Sequence, residues 1–334
     1  MFGRRVLLYF AWSRPEEIGA PLFIIDDRFP AIFELRRLFF PKLEQLSDPL
    51  TIDQGIAGFL DHVQKPNFQA FAAQSEALTG HKVVQVERVA DHGRITPLDV
   101  AIKGVDTVIV ISFDSFRTEQ AATVSEIEAI RHFLEDSDHL MFICPHHDIG
   151  EGAVTAEGNL IERQFAEYEH HGDRAIPPRQ GFGGFARSLL AGLGVPVENR
   201  FGLRPAVGAG GAPAPVQIER ALDERELFRG VDALNLHPHL PQLERVGEAV
   251  GRMDVLVRQQ IDMSAPPHPF TQGGRTSFDA ILQSRPDTFV GKLLVCDTTL
   301  FSSMAGGVEN LRRLWANVVQ RPQSSGGLQA RSAS

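Results

Sequence analysis

The residue types best suited to chemistry follow one apolar run, in the segment LMFICPHHDIGEG. Cys144 ends the run, and His146, His147 and Asp148 come directly after Pro145. As a thiolate beside a histidine that takes its proton, Cys144 is a candidate nucleophile. Because Pro145 has no N–H for an oxyanion hole, and because free cysteines are often simply buried, an apolar role for Cys144 is favoured.

Histidines also occur in compact groups further along the chain, and these groups predict a metal site. Imidazole and carboxylate side chains bind zinc, iron or manganese, so a divalent cation is the expected cofactor. No group has the spacing of an established metal motif such as HExxH. Neighbouring residues of a strand point to opposite faces, so His146 and His147 are expected to supply one ligand between them. The candidate ligands are His146, His147, His170, His171 and His239.

A third chemistry needs neither a metal nor a thiol. His147 or His237 would carry a proton near neutral pH, and Asp148 or Asp297 would orient the ring. The same side chains would equally suit a polar, hydrogen-bonded rim with no catalytic role. The residue types therefore leave acid–base catalysis, metal binding and a structural role open.

Short apolar runs bounded by polar residues, glycine or proline predict the buried strands that must position these groups. The runs are continuously apolar, which is typical of a parallel sheet covered on both faces. Their alternation with amphipathic helices predicts a doubly wound α/β fold, in which ligands bind outside the carboxyl ends of the strands. The predicted strands are 6–11, 82–87, 106–112, 139–144, 253–258 and 292–296, and the predicted helices are 31–40, 53–64, 67–78, 119–136, 160–169, 182–193 and 308–319.

The chain is predicted to form one domain over residues 1–320, with a long insertion at about 150–220 and a flexible tail at 321–334. Within the insertion, the segment QGFGGF (180–185) opens a predicted helix and could present backbone N–H groups to an anion. Because it follows a proline-rich loop rather than a strand, it lacks the context of a dinucleotide-binding motif, and a structural turn is favoured.

Composition excludes several classes of partner. The 334 residues carry a net charge of −9 and no Lys/Arg run longer than two, which argues against nucleic acid. No apolar run reaches the roughly 18 residues of a membrane helix, and the start of the chain lacks the features of a signal peptide. The two cysteines suit reduced thiols, so a cytoplasmic location is expected. The expected partners are a small molecule and further copies of the chain.

Three stretches carry a family resemblance: DTVIVISFDSFRTEQAATVSEIEAIRHFLEDSDHLMFICPHHD, ELFRGVDALNLHPH and KLLVCDTTLFSSMAGGVENLRRLWANVV. Together they resemble the class I glutamine-amidotransferase-like superfamily, in particular ThuA-like proteins and uncharacterised bacterial members. The resemblance implies a flavodoxin-like three-layer sandwich, with Cys144 as nucleophile and His237 as its base if the catalytic triad is kept. The sequence departs from the family at Pro145, where a glycine-flanked elbow is expected, and at His239, which stands in place of a glutamate.

These observations predict an enzyme, a small-molecule hydrolase or lyase that acts at a polar C–N or C–O bond, with or without a metal. Its crevice would be lined by His146, His147, Asp148, His237 and Asp297. The alternative is a non-catalytic ligand-binding or scaffolding module of the same superfamily.

Overall fold

The structure is a computed structural model that describes residues 3–17, 61, 65–114, 120–147, 162, 166–167, 169–170, 172, 182–305 and 308–321. A mixed sheet of eight strands forms its centre. These strands are β1 (Val6–Ser13), β2 (Val84–Val89), β3 (Thr107–Ser112), β4 (Leu140–Pro145), β7 (Gln217–Ile218), β10 (Met253–Gln260), β11 (Ser277–Ser284) and β12 (Lys292–Cys296). Two short antiparallel pairs lie outside it: β5 (Val197–Glu198) with β9 (Glu244–Arg245), and β6 (Gly202–Leu203) with β8 (Leu240–Pro241).

The strand order in the central sheet is β2-β1-β3-β4-β12-β11-β10-β7. The pairings from β2 to β12 are parallel, and the remaining three are antiparallel. The predicted α/β fold with a mainly parallel sheet is therefore confirmed. Because β3, β4 and β12 run in the same direction in neighbouring positions, their carboxyl ends open onto one edge of the sheet.

Helices cover both faces of the sheet. Successive residues of β1 point to opposite faces, and each enters a separate buried apolar cluster: Leu8 and Phe10 in one, Leu7 and Tyr9 in the other. Because both faces are apolar, both need a helical layer. Helices α1 (Gln69–Thr79) and α4 (Val308–Val319) cover the first face, and α2 (Val124–Phe133) and α3 (Gly184–Gly192) cover the second.

Shorter helices occur in the connections. The one-turn α-helices are Arg14–Glu17, Lys65–Asn67, Leu98–Ala101 and Ala249–Arg252. The 3-10 turns are Asp91–Gly93, Ala209–Gly211, Arg220–Leu222, Pro269–Thr271 and Thr298–Phe301. Within the described ranges, no helix has the length and apolar character needed to cross a membrane.

The predicted elements differ from the structure in two informative ways. The helix predicted at 119–136 begins only at Val124, because Thr123 and Glu126 form a capping box at its start. Strand β11 was not predicted, since its sequence SFDAILQS mixes polar and apolar residues. The predicted helix 31–40, most of those at 53–64 and 160–169, and the tail after residue 321 lie outside the described residues.

Candidate metal centre

Three segments meet at the carboxyl edge of the sheet. Strand β4 leads directly into His146 and His147, and β12 leads into Asp297. The loop before β8 adds His237 and His239. Because β4 and β12 are parallel neighbours, the residues after them lie side by side, as expected for a ligand site in an α/β sheet.

Four histidines, which we call the metal-centre cluster, pack together there: His146, His147, His237 and His239. The ring centroids of His146 and His147 are 4.6 Å apart, and His239 lies 5.2 Å from His147. His237 lies 5.2 Å from His146 and 5.3 Å from His239. All four side chains are buried, with no residue more than 7% exposed.

Three of these residues could hold a metal ion. One potential ligand atom from each of His146, His147 and His239 lies within 4.8 Å of the other two. Nitrogen ligands on a tetrahedral zinc ion lie about 3.4 Å apart, given zinc–nitrogen distances of about 2.1 Å. Modest ring rotations would therefore bring the three atoms onto one ion.

His146 and His147 were expected to point to opposite faces and so to supply at most one ligand between them, but their ring centroids are only 4.6 Å apart. Strand β4 ends at Pro145, so both histidines lie beyond the region where side chains alternate between the faces. Both rings consequently turn toward the same point, close to His239.

A buried carboxylate fixes the orientation of His146. Its Nδ1 lies 3.0 Å from Oδ2 of Asp297, and Asp297 is 3% exposed. Because a carboxylate oxygen accepts hydrogen bonds, this contact favours the ring form with the proton on Nδ1, which leaves the lone pair of Nε2 for a metal. A histidine held by a carboxylate in this way is the usual outer arrangement of a protein metal site. The ring of Phe113 stacks on His146 with centroids 5.0 Å apart.

His237 differs from the three candidate ligands. Its Nδ1 accepts a hydrogen bond of 3.3 Å from the main-chain N–H of His239. In the neutral ring the proton must then lie on Nε2, which makes this nitrogen a hydrogen-bond donor rather than a ligand. The structure thus places the predicted acid–base candidate beside the candidate ligands.

Two asparagines that the sequence analysis did not single out hold the centre together. Asn235 donates from Nδ2 to the Thr299 hydroxyl at 2.8 Å, and that hydroxyl donates to Oδ1 of Asp297. Asn199 donates from Nδ2 to the carbonyl oxygen of His146. Both asparagines are fully buried. No motif marks them, because their partners are distant in the chain.

Cys144 lies behind the centre, in the apolar core. Its Sγ is 3.5 Å from Sγ of Cys296 on the neighbouring strand, and both thiols are free and completely buried. Burial, together with the neighbouring thiol, raises the pKa of Cys144 well above its ordinary value. A thiolate is therefore disfavoured, and the geometry gives no support to a nucleophilic role.

The end of β3 carries a carboxylate with a structural task. Oδ2 of Asp114 accepts from the N–H of Phe185 at 2.9 Å, and Ser112 accepts from the N–H of Ala186 at 3.0 Å, so both cap α3. Burial raises the pKa of Asp114 to about 6. The first turn of α3 thus directs the N–H of Phe185 to a carboxylate of the chain itself. Gly183 has φ +84°, and a Cβ there would lie 2.8 Å from that of Pro145.

A second buried group, the anchoring cluster, consists of Glu167, His170 and His268. The Nδ1 of His170 lies 2.8 Å from the carbonyl oxygen of Pro266, and its Nε2 accepts from the N–H of Arg204 at 3.0 Å. Both ring nitrogens are thus bonded to main chain, and His170 is not among the three residues that gather in the metal-centre cluster. The other predicted site residues, Asp148 and His171, lie outside the described residues.

Comparison of the sequence with protein-family models gave no match, and comparison with curated proteins gave none either.

Proposed function

We propose that the chain is a metal-dependent hydrolase or lyase that acts on a small molecule at a polar C–N or C–O bond. One observation carries the proposal: one ring nitrogen from each of His146, His147 and His239 lies within 4.8 Å of the other two, and all three residues are buried. The carboxylate of Asp297 behind His146 adds the outer support that metal-binding histidines commonly have.

The donor set favours zinc, iron or manganese. Imidazole nitrogens suit these ions, and three protein ligands leave a coordination position for water or substrate, as in catalytic zinc sites. A divalent ion bound there would act as a Lewis acid on the substrate and on water.

Three further residues would orient a ligand, donate a hydrogen bond and contact the substrate. Asp297 would hold the Nδ1 proton of His146, which would leave Nε2 as the nitrogen available to a bound ion. His237, with its proton on Nε2, would donate a hydrogen bond to a developing negative charge on the substrate. Phe113, partly exposed and stacked on His146, would give the substrate an apolar surface to contact.

We also propose membership of the class I glutamine-amidotransferase-like superfamily. In chain order, the parallel strands β2-β1-β3-β4-β12 have the arrangement 2-1-3-4-5, which is the flavodoxin-like order. This supports the resemblance in fold. Glutaminase activity is not part of the proposal, since Cys144 is a buried thiol followed by Pro145.

Metal analysis of the purified full chain tests the function. We expect stoichiometric zinc, iron or manganese, and loss of the ion in His147→Ala and His239→Ala. The matched control is His132→Ala, because the side chain of His132 is 86% exposed on α2 and is not one of the candidate ligands. Turnover of small amide, amine and ester substrates should stop with a chelator and return when the ion is restored.

Two results would contradict the proposal: no saturable binding of any of the three ions, or undiminished binding in both histidine variants. Stoichiometric metal without turnover on any substrate would instead favour a non-catalytic ligand-binding module.

A further inference from the structure

Asn235 lies between the two segments that carry the metal-centre residues. Its Oδ1 accepts from the main-chain N–H of His237 at 3.1 Å, and its Nδ2 donates to the Thr299 hydroxyl at 2.8 Å. The main-chain oxygen of Asn235 accepts from Nε2 of Gln259 on β10 at 3.3 Å. A single buried side chain thus joins the histidine loop to the turn after β12.

The amide of Asn235 sets the direction of the hydrogen bonds that follow. The Thr299 hydroxyl has one proton, and because it accepts from Asn235, that proton is directed to Oδ1 of Asp297. The main-chain N–H of Thr299 donates to the same oxygen at 2.8 Å. With Oδ1 occupied, Oδ2 of Asp297 is the oxygen that holds Nδ1 of His146.

We propose that Asn235 is a positioning residue that, through Thr299 and Asp297, fixes the protonation of His146 on Nδ1 and so presents Nε2 to the metal. The orientation of His146 follows from the hydrogen bonds of the described residues, whereas its effect on metal binding rests on the proposed function. It assigns the residue a role that depends on the donor character of its amide, beyond the space that the side chain fills.

Four variants separate these two contributions. Asn235→Asp keeps the shape and the acceptor for His237 but removes the donor to Thr299. Thr299→Val removes the hydroxyl at nearly constant volume, and Thr299→Ser retains it. The control Asn317→Asp removes an amide that donates to the carbonyl oxygens of Leu227 and Arg229, away from the centre.

The first measurement uses nitrogen NMR of the histidine rings in the metal-free protein. We expect wild type, Thr299→Ser and Asn317→Asp to hold the proton of His146 on Nδ1. In Asn235→Asp the Thr299 hydroxyl can turn to the new carboxylate, and in Thr299→Val it is absent, so Oδ1 of Asp297 loses its hydroxyl donor. Oδ2 is then no longer held against Nδ1 of His146, and a mixture of the two ring protonation forms should replace the single form. A merely structural role would lower the melting temperature of the variants without changing this ring signal.

The second measurement is zinc affinity by competition with a chromophoric chelator. Loss of outer-shell support typically weakens binding by about 10- to 100-fold, which we expect for Asn235→Asp and Thr299→Val but not for Thr299→Ser or Asn317→Asp. An unchanged His146 signal in both impaired variants would overturn the role of Asn235. If wild type shows the expected ring signal but binds no metal, the proposed function fails while the role in orienting His146 stands.

Discussion

The two buried groups both contain histidines but use the ring nitrogens differently. In the anchoring cluster, both nitrogens of His170 bond to main chain, and Nδ1 of His268 accepts from the N–H of Phe270 at 2.9 Å. The Nε2 of His268 lies 3.2 Å from Oε1 of Glu167. In the metal-centre cluster, three rings instead bring their ligand atoms toward one another. The groups that the ring nitrogens face therefore distinguish structural histidines from candidate ligands. Burial alone does not distinguish them, because both groups are buried.

The largest effect is expected from breaking the anchoring cluster. Glu167 and His268 are both fully buried, and since Nδ1 of His268 accepts, the proton of the neutral ring lies on Nε2, 3.2 Å from Oε1 of Glu167. Replacing His268 by Ala removes the polar ring from beside a buried carboxyl group and should lower the free energy of unfolding by about 3 kcal/mol or more. Chemical denaturation measures the loss.

Two comparisons sharpen this test. In His268→Asn the side chain keeps an acceptor for the N–H of Phe270, which caps the turn Pro269–Thr271. This variant therefore separates the contribution of the cap to stability, about 1 kcal/mol, from the contribution of the contact with Glu167. Metal content should be unchanged in both variants, because the anchoring cluster lies outside the ligand set. Loss of metal at constant stability would show that the distinction between the clusters is wrong.

The same contrast separates the buried carboxylates after β3 and β12, since Asp114 caps a helix and Asp297 holds a histidine. The pKa of Asp114 is raised from 3.8 to about 6 in the folded chain. Between these values the unfolded chain ionises while the folded chain stays protonated, so stability is lost as pH rises. At 1.36 kcal/mol for each pH unit, the loss approaches about 3 kcal/mol by neutral pH.

Asp114→Asn tests this by removing the titration. Its unfolding free energy relative to wild type should rise by about 2 kcal/mol between pH 4 and pH 7, because part of the loss in wild type occurs below pH 4. Asp232→Asn, at a side chain that is 86% exposed, is the control and should follow wild type at every pH. A constant difference between Asp114→Asn and wild type would mean that Asp114 is ionised at low pH like an ordinary carboxyl.

The sequence predicts the sheet better than it predicts the centre. Apolar runs locate β1, β3, β4 and β12 to within about two residues, because burial on both faces leaves a local signal. The parallel arrangement then brings the residues after β4 and β12 together.

Local patterns do not reveal which histidines are candidate ligands. The partner of His146 is Asp297, 151 positions away. Both ring nitrogens of His170 form hydrogen bonds with the main chain, at Pro266 and Arg204. Asn235 lies in an irregular loop with no periodicity to mark it. These assignments depend on long-range contacts, which only the folded chain supplies.

A smaller effect is expected from Asp297→Asn. The amide keeps the size of the side chain but loses the charge that holds the Nδ1 proton of His146. Zinc affinity should fall by about 10- to 100-fold, or about 1.4 to 2.7 kcal/mol. Competition with a chelator measures the change. Wild-type affinity in Asp297→Asn would place Asp297 with Asp114 among the purely structural carboxylates.

The smallest effect is expected from replacing Cys144. This variant tests whether the chemistry occurs at the histidines or at the thiol. Because burial and Cys296 raise the pKa of the thiol, iodoacetamide at pH 8 should leave Cys144 unmodified in the folded chain and modify it after unfolding. Cys144→Ala should lower stability by about 1 kcal/mol and leave metal affinity and turnover close to wild type. Rapid alkylation of the folded chain, or turnover abolished in Cys144→Ala at wild-type metal content, would instead make the thiol the reactive group. The convergence of ring nitrogens would then no longer identify where the chemistry occurs.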